Sequence, residues 1–102
     1  MRMTMHTQRV LARFLDEPPN TELYGLEIAK DIGLKGGTLY PLLMRLEDAG
    51  YLTSGWESID PHVEGRRRRR YYTLTAAGAI AAREAIEQTM ENLRGSWSPA
   101  WL

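Results

Sequence analysis

The chain has 102 residues, with 13 basic and 13 acidic side chains and a formal net charge of zero. That length allows one domain with one modest core, in which self-association would add burial, and at 43% hydrophobic and 25% charged the composition is that of a globular chain. The absence of cysteine excludes disulfides, a thiol nucleophile, thiolate zinc sites and iron–sulfur clusters, while a neutral balance argues at first against a nucleic-acid binder, which usually carries a positive excess.

His6 and His62 are the only histidines, so a histidine metal site would need distant carboxylates, and both read as surface residues. No apolar stretch approaches the ~20 residues that span a bilayer, and the first residues hold no apolar run of signal-peptide length. A soluble, cytoplasmic protein with no membrane association is the expectation.

Residues 4–16 place Val10, Leu11, Phe14 and Leu15 at helical spacing, and Pro18-Pro19 ends that helix. Asn20 or Thr21 can cap a second helix, running to Ile32, with Leu23, Leu26 (or Glu27), Ile28 and Ile32 on its apolar face and Gly33 as its stop. After three more residues, 38–49 carry Leu39, Leu42, Leu43 and Leu46 at i, i+3, i+4, i+7, with Pro41 in the first turn. Two helices joined by a short Gly-containing turn form a helix-turn-helix pattern.

Beyond Gly50 the period shifts toward 2. Residues 51–59 read as a strand, 60–65 as turn chemistry, and 66–74 as a second strand, which together make a hairpin with a basic arm. Thr75 caps a last helix reaching about Arg94, in which Ala79, Ala82, Ile86, Met90, Leu93 and Trp97 form a narrow apolar stripe with charged flanks, the signature of a helix–helix seam. Residues 96–102 form an apolar tail containing Trp101 and the breaker Pro99. The order helix, helix, helix, strand, strand, helix predicts an α+β, mostly α, winged helix-turn-helix. Residues 1–75 are expected as the DNA-binding domain and 76–102 as a dimerisation helix with its tail.

Several stretches carry a resemblance: Tyr24-Gly25-Leu26-Glu27-Ile28-Ala29, Gly37-Thr38-Leu39-Tyr40-Pro41-Leu42-Leu43, Arg45-Leu46-Glu47-Asp48-Ala49-Gly50-Tyr51-Leu52, Trp56, the Gly65-Arg66-Arg67-Arg68 run and Tyr71-Tyr72-Thr73-Leu74-Thr75-Ala76-Ala77-Gly78. Across residues 5–80 the chain resembles the PadR family of bacterial transcriptional regulators. The resemblance implies a homodimeric repressor-type protein whose C-terminal helix pairs with the partner chain and often clasps the first helix, so that Val10 and Phe14 join Ala79, Ala82, Ile86, Met90, Leu93 and Trp97 in dimerisation. A single long helix after the wing is similar to the short-chain members. The chain departs from the family pattern at Lys35-Gly36, where a Ser cap is common, and in two acids at the wing tip.

Two candidate DNA contacts follow from the motifs. In a helix-turn-helix the first turns of the second helix face base edges. Lys35, Gly37, Thr38, Tyr40, Pro41 and Arg45 lie there, off the leucine face, and Tyr24 lies on the helix before it. The arginines at 66–70 admit a plain reading as a solvated charge run, and Arg70 as a structural residue over the core edge. Placed on a wing strand, Arg66, Arg67, Arg68 and Arg69 would instead grip phosphates of double-stranded DNA, with a salt slope of about −5 to −7 for a dimer using three or four per subunit.

Trp97, with Met90, Leu93 and Trp101, also admits two readings: packing at the end of the seam, or an aromatic-lined cavity between subunits. The resemblance to short members implies that a small aromatic or cationic effector could stack there and relieve repression. Trp56 is expected to pack across the hairpin on Tyr71 or Tyr72. No phosphate loop, catalytic triad pattern or cofactor motif is present in the sequence, so neither enzyme activity nor a cofactor is expected. The competing reading is a winged-helix module for protein–protein contact without DNA binding, which has no reason to place five arginines beside the third helix. Without those five the chain balance is −5. Neutrality is then the sum of a cationic reading head and an anionic body, with the acids expected on the first, second and last helices.

Overall fold

Thr4 opens the first helix, its hydroxyl accepting from the Thr7 N–H at 3.2 Å. The computed structural model describes residues 1–97, and residues 98–102 of the expected tail, Trp101 among them, lie outside the described residues. Its elements are α1 (Met5–Leu15), β1 (Leu23–Tyr24), α2 (Gly25–Ile32), α3 (Gly36–Asp48), β2 (Leu52–Trp56), α4 (Pro61–Glu64), β3 (Arg70–Leu74) and α5 (Ala76–Ser96).

The second helix starts later than its spacing suggests. Leu23 and Tyr24 pair with Tyr72 and Tyr71 of β3, making a three-stranded antiparallel sheet of order β1-β3-β2. Neither Asn20 nor Thr21 caps α2. Asn20 turns the chain at φ +68°, and the Thr21 hydroxyl donates to the Pro18 carbonyl at 2.7 Å. The Glu27 carboxylate accepts from the Tyr24 N–H at 2.9 Å instead. Leu26, expected inside, is exposed, because a separation of two residues puts it on nearly the opposite side of the helix from buried Ile28.

α3 begins at Gly36, two residues before the expected start, so Pro41 sits in its second turn and not its first. It leaves the Gly37 carbonyl without its usual i+4 donor. Leu39, Leu42, Leu43 and Leu46 are buried as their spacing predicts and share one core with Val10, Leu11, Phe14, Ile28, Leu52, Tyr72 and Ala82.

The hairpin pairs Leu52 with Leu74 through to Trp56 with Arg70. The ladder of β3 stops at Arg70, so residues 66–69 are not strand as expected, although the Glu57 N–H donates to the Arg69 carbonyl at 2.9 Å and adds one rung. The expected turn is a one-turn helix. Asp60 accepts from the His62 N–H at 2.9 Å, Pro61 occupies the first turn, and Gly65 closes it at φ +67°.

α5 is fastened at its start. The Thr75 hydroxyl accepts from the Gly78 N–H at 2.9 Å and donates to the Gly50 carbonyl at 2.7 Å. Its inner side packs along α1, where the Thr89 hydroxyl donates to Gln8 Oε1 at 2.8 Å. This packing corrects the dimer expectation at three positions: Val10, Phe14 and Ala82 are buried in the chain's own core and have no surface left for a partner. Ala79 and Ile86 are half-buried, while Met90, Leu93 and Trp97 face solvent on the distal half.

Candidate nucleic-acid interface

The leucine spacing of α3 decides which of its residues face outward. With one side buried, Gly37, Thr38, Tyr40, Pro41, Met44 and Arg45 are exposed, and Lys35 stands exposed at the N-cap without a side-chain capping bond. The Tyr40 ring is held from two sides. A Cβ added at Gly25 would lie 2.8 Å from its Cε1 and 2.9 Å from its hydroxyl oxygen, and one at Gly36 would lie 3.3 Å from its ring. Two glycines thus form the slot in which this aromatic lies, although Tyr40 remains 41% exposed. Tyr24 is half-buried at the edge strand, just before α2.

The wing sorts its five arginines into two kinds. Glu57 takes Arg66 through a two-pronged pair, Nη1 to Oε1 at 2.6 Å and Nη2 to Oε2 at 3.0 Å, and also accepts the Arg69 backbone N–H at 2.9 Å. The Arg66 guanidinium is the main reason that the Glu57 carboxyl is held down at about 2, and the same pair raises Arg66. Arg70 is fixed by the Ser54 hydroxyl at 2.7 Å and Glu47 at 3.3 Å, and its guanidinium carbon lies 5.2 Å from the centre of the Trp56 ring. Ser54 donates to the other Glu47 oxygen. Arg70 is therefore structural, as one sequence reading had it.

Arg67, Arg68 and Arg69 are exposed, and among the described residues no ion pair engages them. Arg68 donates through Nε to the Ile59 carbonyl at 3.0 Å, which orients the guanidinium without neutralising it. Trp56 does not pack on Tyr71 or Tyr72. The Tyr71 ring covers Gly55, where an added Cβ would come within 2.5 Å of its hydroxyl oxygen, and Trp56 is left 58% exposed beside Arg70.

Elsewhere two arginines brace the scaffold. Arg13 bridges Asp31 at 2.8 Å and Glu17 at 2.9 Å, tying α1 to α2, and Arg9 donates to the Ile32 carbonyl. The acids do not keep to the body as expected: Glu47 and Asp48 end α3, and Glu57, Asp60 and Glu64 lie in the wing. Glu47 and Glu57 are there because they position Arg70 and Arg66. Met90, Leu93 and Trp97 stand exposed along α5. A hollow of about 220 Å³ lies nearer the start of that helix, beside Phe14, Pro18, Leu74 and Ala79, and those three residues do not line it. Sequence reasoning missed Met44, Glu57 and the Glu47–Ser54–Arg70 link. For Glu57 the available signal was a single acid placed across a hairpin from a basic run.

No group of His, Asp or Glu suited to a metal occurs among the described residues, and no helix there is long and apolar enough to cross a membrane. A helix-turn-helix whose second helix leads into a sheet hairpin, with a long helix behind, defines the winged-helix class. The profile of the transcriptional regulator PadR-like family matches residues 15–84. The chain belongs to that family and is a transcriptional regulator, not an enzyme.

It is 33% identical over 101 residues to transcriptional regulator Rv3488 of Mycobacterium tuberculosis, covering 89% of this chain and 90% of that protein. The crystal structure of a PadR family transcriptional regulator from Eggerthella lenta is similar at a TM-score of 0.67 and 29% identity, over 91% of this chain and 84% of that one. Bacillus subtilis PadR, solved in complex with operator DNA, shares the fold at a TM-score of 0.67 and 20% identity, over 81% of this chain and 48% of that one.

Proposed function

We propose that the chain binds an inverted-repeat operator in double-stranded DNA as a homodimer and represses transcription in the cytoplasm. The observation that carries this reading is the sorting of the wing: Arg66 and Arg70 are tied to acids, while Arg67, Arg68 and Arg69 stand exposed with no ion pair among the described residues. Unpaired guanidiniums together with an exposed recognition helix match the phosphate-and-base division of labour in winged helices. The similar fold of Bacillus subtilis PadR, solved with operator DNA, supports the same use here.

In this reading α3 enters the major groove with Gly37, Thr38, Tyr40, Pro41 and Arg45. Lys35 and Tyr24 approach the backbone, and Arg67, Arg68 and Arg69 hold phosphates. Arg66 acts through Glu57 as a positioning residue. The partner chain covers the distal face of α5, where Ile86, Met90, Leu93 and Trp97 form a stripe at seam spacing, and Ala79 lies at its near end. A flat aromatic or cationic effector stacks on Trp97 beside Met90 and Leu93 and relieves repression.

Gel-shift titration on the gene's own upstream region tests the reading. Salt-sensitive retardation that Arg67→Ala/Arg68→Ala weakens is the expected result. No retardation at low salt, or retardation indifferent to those substitutions, would contradict it and favour a protein-contact module.

A further inference from the structure

The outward face of α3 is apolar at its centre. With Leu39, Leu42, Leu43 and Leu46 buried, the opposite line of a helix with about 3.6 residues per turn runs through Gly37, Pro41, Met44 and Asp48. Met44 is 65% exposed in the middle of that line, with Tyr40 one turn before it. Two cations of the same helix flank this apolar spot: Lys35 at its start and Arg45 next to Met44. Asp48 stands exposed at the far end, where a phosphate would be repelled, so a polyanion meets residues 36–45 and not the end of the helix.

The two apolar residues differ in freedom. Gly25 and Gly36 hold the Tyr40 ring in its slot. Met44 borders a hollow of about 300 Å³ lined also by Tyr40, Tyr72, Arg70 and the acids Glu47 and Asp48, and a Met side chain adapts to what lies against it. The pair is an aromatic wall seated against two glycines beside a flexible thioether.

We propose that Met44, with Tyr40 as its wall, is a specificity-determining residue that recognises the 5-methyl group of a thymine in the major groove. The proposal rests on the operator-binding reading above. The thymine methyl is the apolar mark among base edges in that groove. Met has no donor and only a weak acceptor, so it cannot read a base by strong hydrogen bonds, and the surrounding cations hold phosphates without reading sequence. Charge complementarity selects the occupant, because Lys35 and Arg45, exposed on the same helix with no ion pair among the described residues, flank the apolar spot and suit a methyl-bearing groove floor between two phosphate strands.

The test starts from a duplex selected by the full chain from a random pool. Each thymine is replaced in turn by uracil, which removes the methyl and nothing else. For the wild type, one uracil position in each half-site weakens binding about four-fold, the equivalent of about 0.8 kcal/mol for one buried methyl group. The salt slope stays the same. In Met44→Ala the same replacement has no effect, while Met44→Gln gains preference for adenine at that position. The exposure of Met44 keeps both variants folded, which far-UV circular dichroism checks.

Uracil tolerated at every position by the wild type, or a four-fold loss that persists in Met44→Ala, overturns the assignment of Met44 and leaves operator binding standing. Retention of no duplex at any salt concentration overturns both. Weakened self-association of Met44→Ala in sedimentation, with DNA binding unchanged, assigns the face to a second copy and overturns the proposal.

Discussion

Gly25 and Gly78 both lack a side chain for want of space, yet what crowds each of them differs. At Gly25 the neighbour is the tip of the Tyr40 ring, a group that can move. Gly25→Ala should leave urea denaturation almost unchanged while displacing Tyr40, and operator affinity should fall about ten-fold, equivalent to about 1.4 kcal/mol, in fluorescence anisotropy. At Gly78 the added Cβ would lie 2.1 Å from the Tyr51 carbonyl oxygen, which already accepts the Thr75 N–H at 3.0 Å. That carbonyl belongs to the backbone joining α3 to β2, so α5 itself must shift. Gly78→Ala should destabilise the fold by roughly 1–3 kcal/mol, as overpacking does, read from the urea midpoint. Periodicity exposed the leucines of α3 and the cap at Thr75. It was blind to the Tyr40 slot, because the slot joins residues 25 and 40 through a tertiary contact that no local pattern encodes.

The wing is an element whose form depends on one carboxylate. Glu57 gathers two nitrogens of Arg66 and the backbone N–H of Arg69, which replaces the ladder that β3 abandons before Arg70. Its carboxyl lies at about 2, lowered first by the Arg66 hydrogen bonds. A carboxyl depressed in the folded state adds stability above the ordinary carboxylate range and loses it as pH falls through the depressed value. The wing should therefore keep its form through the range in which free carboxylates titrate and loosen only near pH 2. The Arg69 amide resonance should report that midpoint in NMR, and a midpoint near the ordinary Glu value would contradict the lock. Glu57→Gln keeps the shape but not the charge, and the wing arginines should then exchange faster with solvent at neutral pH. The hairpin itself was legible from β-forming residues and turn chemistry. The inequality of the five arginines was not, since a one-turn helix at the tip sets which of them meets an acid. The same insertion sets the register that puts Trp56 opposite Arg70 and leaves Tyr71 over Gly55.

The whole molecule is elongated, at 66 × 25 × 23 Å with a radius of gyration of 16.5 Å, against about 13 Å for a compact chain of this length. α5 contributes to this length, because beyond Thr89, which still bonds to Gln8 of α1, its residues 90–96 are all exposed. Its stripe, expected as a seam, mixes two faces, because Ala82 serves the chain's own core while Met90, Leu93 and Trp97 stay uncovered. Phe14→Ala should thus lower stability by about 3–5 kcal/mol without yielding a folded monomer. Leu93→Ala with Trp97→Ala should yield a folded monomer in sedimentation at little cost in fold. The neutral net charge conceals a similar division. With Arg66 and Arg70 matched by Glu57 and Glu47, three wing arginines per chain remain to meet phosphates. The dependence of operator affinity on salt tests the account most directly. Six phosphates neutralised by the wings of a dimer give a slope of log affinity against log salt of about −5, and Arg67→Ala/Arg68→Ala/Arg69→Ala should remove most of it. A slope shallower than about −2, or one that survives the triple substitution, would contradict the account.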